Sequence, residues 1–162
     1  GHETTTSLIT NTLWRLLLSP DEMAKVRANS ELVSNAIEES LRYDPPVLGL
    51  CKTNNEPVVY HDVEIPQDSK VMILYASANR DTDVFDSPDK FMVERPLIET
   101  KRHLSFGWGS HFCLGAHLAR QTGRIALSVL LERFDQLHLV EPTERVVPPF
   151  LWGRRALTVA WQ

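Results

Sequence analysis

The chain has 162 residues, 43% of them hydrophobic and 23% charged, the balance of a globular domain able to bury a substantial core. A net charge of −4 argues against a nucleic-acid partner, which would favour a basic face. No uninterrupted apolar run approaches the roughly eighteen residues of a membrane span, and two cysteines are too few for a secreted disulfide framework, so a reducing, cytoplasmic setting is expected.

Gly1-His2-Glu3-Thr4-Thr5 opens directly into a helical pattern, with Ile9, Leu13, Leu16 and Leu17 on one face and no initiating Met or signal peptide ahead of it. We therefore expect the chain to be the tail of a longer protein. Ser19-Pro20-Asp21-Glu22 predicts the start of a second helix, with Ser19 as N-cap, Pro20 at the first position and Glu22 closing a capping box. A third helix is predicted over 31–42, striped by Leu32, Val33, Ala36, Ile37 and Leu41, and stopped by Asp44-Pro45-Pro46.

The texture then turns to short strands. Residues 58–60 and 63–65 flank a His61-Asp62 turn, and 71–75 read as a buried strand. Residues 80–112 carry almost no periodicity, and so long a connection within a compact domain is usually functional. From 114 to 134 a long helix is expected, buried through Leu118, Ile125, Ala126 and Val129, with Leu130 and Phe134 widening the stripe. Residues 136–140 and 156–161 read as a closing strand pair around a loop holding Pro148-Pro149. The fold class expected is mostly α with a small β region.

Phe106-Gly107-Trp108-Gly109-Ser110-His111-Phe112-Cys113-Leu114-Gly115 is the most informative segment. Its glycines let the backbone turn tightly and approach a bulky planar group. A helix starting just after Cys113 would aim unsatisfied N–H groups and a positive dipole end at the sulfur, favouring the thiolate that binds metals. One thiolate cannot build a structural zinc site or an iron–sulfur cluster, but it suffices as the axial ligand of a haem. Two other readings share these residues: a buried free thiol, and a cysteine nucleophile with His111 as its base.

Residues 106–120 resemble the haem-binding signature of the cytochrome P450 monooxygenases, F-G-x-G-x-H-x-C-x-G followed by x-x-L-A-R, matching at Phe106, Gly107, Gly109, His111, Cys113, Gly115, Leu118, Ala119 and Arg120. The similarity is to soluble bacterial members. It implies that 1–162 is the C-terminal haem-binding portion of a single cytochrome P450 domain, cut within the central distal helix. It further implies a haem b cofactor with Cys113 on iron, Phe106 packed near the sulfur and His111 at a propionate. Lys52 stands where many relatives have a propionate-pairing arginine.

Glu39-Ser40-Leu41-Arg42 resembles the family's E-x-x-R motif, with Glu39 and Arg42 as i, i+3 neighbours at a core boundary. An exposed helix ion pair is the plainer reading of those two residues. The position matching the third member of that network is Lys90; Glu38 is expected to point away. Gly1-His2-Glu3-Thr4-Thr5 resembles the end of A-G-x-[DE]-T-T, although an acid and paired threonines near a helix start also read as capping. The resemblance gives Thr4 a hydrogen bond to the distal oxygen and Glu3 the supply of protons.

Residues 47–51 and 150–152 match segments that line substrate pockets in the family, though both also read as core or strand. Cys51 has no assigned role, and His61, His103, His117 and His138 read as surface or structural. The activity implied is O2-dependent oxidation of a small organic substrate, with electrons from NAD(P)H through a ferredoxin or flavodoxin-type donor. A peroxide-driven peroxygenase and a non-catalytic haem-binding sensor or remnant are the other readings.

Overall fold

The structure is a computed structural model that describes residues 2–146 and 150–162; Gly1 and the Pro148-Pro149 pair lie outside the described residues. Helix α1 (His2–Leu18) is followed by α2 (Pro20–Ala28) and α3 (Leu32–Tyr43), in register with the periodicity of their apolar residues. Pro20 does open α2, but Ser19 makes no side-chain cap. The expected capping box is absent because Glu22 turns to other donors, accepting from Lys25 Nζ and from the Val93 backbone N–H, both at 2.7 Å. A tertiary N–H on the neighbouring loop has outcompeted the local one.

Asp44 closes α3 as Pro45 and Pro46 prevent its continuation. Its carboxylate gathers Arg15 at 3.2 Å, Arg145 at 3.1 Å and the Trp152 indole N–H at 2.6 Å, tying α1 and the C-terminal segment to the end of that helix.

Strands β1 (Leu50–Thr53), β2 (Val58–Tyr60), β3 (Val63–Ile65) and β4 (Lys70–Ile73) pair as two antiparallel ribbons, β1 with β4 and β2 with β3. His61 and Asp62 both adopt left-handed backbone angles, φ 46° and 63°, the geometry a two-residue hairpin turn requires. Gly49 precedes β1 because a Cβ there would sit 2.4 Å from the Ile73 carbonyl oxygen. The expectation of a buried strand over 71–75 fails. Met72, Ile73 and Leu74 are exposed because β4 has a single neighbour, and Tyr75 is buried at the start of the short helix α4 (Tyr75–Ala78).

The aperiodic stretch contains α5 (Leu97–Thr100) and a 3-10 turn, Gly109–His111, before α6 (Ala116–Arg133). Strands β5 (His138–Leu139) and β6 (Val159–Ala160) close the chain as the expected antiparallel pair.

The core is where α1, α3 and α6 meet. Leu8, Leu13 and Leu16 pack with Val33, Ala36, Ile37, Leu41 and Leu127. Gly123 lies at the crossing, where a Cβ would approach Ile37 Cδ1 to 3.1 Å and Leu8 Cδ2 to 3.5 Å. The buried face of α6 is thus Ala116, Gly123 and Leu127 rather than the predicted stripe, for Leu118, Ile125 and Val129 are exposed. The helix has two apolar faces, and close approach selects the small-residue one for packing. Among the described residues no helix is long and apolar enough to cross a membrane.

Candidate functional site

The cysteine loop runs between α5 and α6. Gly107 and Gly109 take φ values of 74° and 71°, which side chains disfavour, so here the glycines are demanded by backbone conformation. The Phe112 N–H donates to the Gly109 carbonyl at 3.0 Å, and the Cys113 N–H crosses the loop to the Phe106 carbonyl at 2.8 Å. Helix α6 begins at Ala116 rather than directly after Cys113, with the Ala116 N–H donating to the Cys113 carbonyl at 3.2 Å. A side chain at Gly115 would rest 3.9 Å from Cys113 Sγ, so the glycine leaves that flank of the sulfur uncovered. The Cys113 thiol is free and exposed.

It faces a cavity of about 710 Å³. Thr4, Thr5 and Leu8 of α1 line it together with Phe106, Cys113 and Ala119. Lys52, Gly107, His111 and Gly115 also reach it. Glu3 alone among the expected cofactor and catalytic residues is off the wall, exposed to solvent on the first turn of α1. Val47, Leu50 and Cys51 line the cavity as expected, whereas residues 150–152 do not; Leu151 bridges Val47 from behind and Trp152 is spent on Asp44.

The donor set suits the haem that the resemblance implies. One free thiol would serve the iron, a mostly apolar chamber with Gly107 and Gly115 in its lining the macrocycle, and the Lys52 ammonium with the His111 ring the propionates.

Behind the loop, Glu39 and Arg42 are fully buried. Arg42 Nε and Nη2 reach the two oxygens of Glu39, both at 2.8 Å, the bidentate form of an ion pair. The remaining Arg42 donors bond the carbonyls of Asn79 (3.0 Å), Pro88 (2.8 Å) and Lys90 (3.0 Å). The third ionic member is Arg95, whose Nε lies 3.2 Å from Glu39, and not the Lys90 side chain, which is exposed. Lys90 enters through its carbonyl alone. Arginine suits the place because its fork serves carboxylate and carbonyls at once, which an ammonium cannot.

Glu38 departs furthest from expectation. Instead of pointing away it is buried, accepting from Arg120 Nε at 2.6 Å and Nη2 at 3.1 Å, with His103 Nε2 at 3.1 Å. Burial raises its pKa, but the hydrogen bonds from His103 and Arg120 outweigh that and hold it at about 2. The Arg120 guanidinium lies 4.5 Å above the Phe106 ring. Asn79 adds a further tie, donating to Ser105 Oγ at 2.9 Å while its Oδ1 takes the Leu104 N–H at 2.7 Å. Arg95, Glu38, His103 and Arg120 are the residues that sequence reasoning did not place. Periodicity could not have paired Glu38 with His103 or Arg120, nor Arg95 with Glu39, since those partners are distant in the chain.

The family model for Cytochrome P450 matches residues 1–155. A cytochrome P450 of Bacillus subtilis (strain 168) is 44% identical over 140 residues, covering 86% of this chain and 33% of that protein. The biotin biosynthesis cytochrome P450 of the same organism is 41% identical over 157 residues, covering 97% and 38%. Cytochrome P450 monooxygenase PikC of Streptomyces venezuelae is 42% identical over 166 residues, covering 100% and 39%. Among solved structures, P450BioI in complex with hexadec-9Z-enoic acid ligated acyl carrier protein matches with a TM-score of 0.95 at 36% identity, over 99% of this chain and 41% of that one. CYP109E1 from Bacillus megaterium in complex with testosterone matches with a TM-score of 0.94 at 33% identity, over 98% and 44%. The chain spans 33–39% of the length of those curated relatives. Its helices and small sheets take the arrangement of the C-terminal part of that fold, and the chain belongs to the cytochrome P450 family.

Proposed function

We propose that residues 1–162 are the C-terminal haem-binding portion of one cytochrome P450 domain, and that the whole protein is a haem-thiolate monooxygenase placing one oxygen atom of O2 in a small organic substrate while the other leaves as water. The observation that carries this reading is the free Cys113 thiol on a mostly apolar cavity that Thr4 and Thr5 also line. Haem b, when bound, supplies the oxygen-activating chemistry, and a thiolate ligand favours O–O cleavage.

The protein's own part is to hold and to protonate. Cys113 presents its sulfur from a loop closed by its N–H bond to the Phe106 carbonyl. Lys52 and His111 would pair with the two propionates at the cavity edge, Lys52 as a point charge without the arginine fork. The Thr4 hydroxyl, on the cavity lining with Cys113, would hold a proton there, and solvent-exposed Glu3, one residue away, would replenish it from water. The apolar lining at Val47, Leu50 and Leu8 suits a substrate of like character.

Electrons would come from NAD(P)H through a ferredoxin or flavodoxin-type donor in the cytoplasm. A second cleft holds Lys101, His117 and Arg124 beside the Glu38–Arg120 pair, and Lys101 and Arg124, unpaired among the described residues, offer the positive surface that an acidic donor needs. The deciding experiment is Cys113→Ser in the haem-loaded protein. The red-shifted Soret band of the reduced carbonyl complex should disappear; a variant retaining it removes Cys113 as the ligand.

A further inference from the structure

We infer that Glu38 is a positioning residue for the thiolate loop: by neutralising Arg120 it keeps a bare cation from standing on the Phe106 ring beside Cys113, and so sets how strongly Cys113 donates to its metal. The inference rests on the reading of Cys113 as haem ligand.

Three observations lead to it. First, the two partners of Glu38 bracket the loop, His103 before its entry and Arg120 after its exit, so one carboxylate on α3 staples both ends. Second, the charges are matched. The Ser105 N–H donates to His103 Nδ1 at 3.2 Å, which makes Nδ1 an acceptor and puts the ring proton on Nε2, where it donates to Glu38. A neutral imidazole satisfies both contacts, leaving Arg120 as the one formal charge that Glu38 balances in this cluster. Third, the balanced guanidinium lies on the Phe106 ring at 4.5 Å, and the Phe106 carbonyl takes the Cys113 N–H at 2.8 Å. The chain Glu38–Arg120–Phe106–Cys113 is therefore continuous contact.

Partners beyond a metal's own ligand tune it by orientation and by field. With Glu38 neutralised, Arg120 carries an uncompensated positive charge on the ring of Phe106, whose carbonyl holds the Cys113 N–H. That charge draws electron density from the thiolate and stabilises the reduced metal. With Arg120 neutralised instead, an uncompensated carboxylate does the reverse. The two changes remove the same pair yet act with opposite sign, which a merely structural brace cannot reproduce.

The test is the haem reduction potential and the reduced-carbonyl spectrum of the haem-loaded protein, with a thermal melt alongside. Glu38→Gln should raise the potential, changing the ratio of reduced to oxidised haem at fixed potential by about tenfold, or about 59 mV for one electron. Arg120→Gln should lower it, and the double variant Glu38→Gln/Arg120→Gln should return toward the parent although the staple is gone. Should Glu38→Gln not fold, the opposite shift in Arg120→Gln and the return in the double variant still decide. Shifts of the same sign, or a lower melting temperature with the potential unmoved, overturn the inference and make the cluster a brace alone. A parent protein with no thiolate-haem spectrum would instead defeat the assignment of Cys113.

Discussion

Glu38 and Glu39 are neighbours on α3, each buried and each held by an arginine, yet they sit in different electrical surroundings. Glu39 looks into the connection that leads to the cysteine loop, where Arg42 and Arg95 are buried with it and their spare donors end on the carbonyls of Asp86, Ser87, Pro88 and Lys90. Glu38 looks toward α6, and its partner Arg120 keeps 26% of its side chain in solvent at the edge of a basic cleft. About 100° of helix separates successive side chains. That rotation puts one carboxylate in a sealed clamp and the other in a contact that solvent and docking partners can reach. A sealed pair strongly resists removal of either member, whereas a pair at a boundary is screened and adjustable.

Arg42→Ala tests the sealed side and should have the largest effect. It removes the bidentate partner of Glu39, leaving that carboxylate to Arg95 and the Met92 N–H, and strips the Asn79 and Pro88 carbonyls of their donor. Breaking a buried pair costs up to about 3–5 kcal/mol. Denaturant unfolding of the haem-loaded protein should show that loss together with poor haem retention. A variant with unchanged midpoint would place the two sides on an equal footing.

Acid should open the other side next. The Glu38 pKa lies at about 2 in the folded protein against an ordinary 4.5, so the folded state holds its proton less tightly. Its contribution is complete above about pH 4.5 and is lost as pH falls toward about 2. Melting temperature followed over that interval should fall less steeply in Glu38→Gln than in the parent. Identical slopes would mean that other carboxylates carry the acid sensitivity.

Lys90→Ala should do least. The ammonium is exposed and only the carbonyl of residue 90 is used, so stability should move by no more than about 0.5 kcal/mol. A loss approaching that of Arg42→Ala would restore the lysine side chain to the network.

What could be read from the sequence was whatever local chemistry dictates. The glycine angles of the cysteine loop, the Glu39–Arg42 spacing, the His61-Asp62 turn and the proline stop after α3 each follow from neighbours within a few residues. What escaped depends on which surfaces meet. Glu38 and Arg120 are 82 positions apart, Glu39 and Arg95 56, and no periodicity links them. The packed face of α6 was misread because Leu118, Ile125 and Val129 make the larger apolar row, while shape gives the crossing to Gly123. The strand at 71–75 was misread because an apolar run does not reveal how many neighbours a ribbon has.

Gly123 also acts as a spacer of atomic thinness. Leu8, which its bare Cα lets approach, belongs to the cavity wall beside Thr4 and Thr5, while α6 runs on from the loop that carries Cys113. The crossing thus ties a cavity-lining residue of α1 to the helix that follows the cysteine loop, and even alanine would thicken it by a methyl group. The separation of those two helices is in this sense a length written into the core, set by a single carbon.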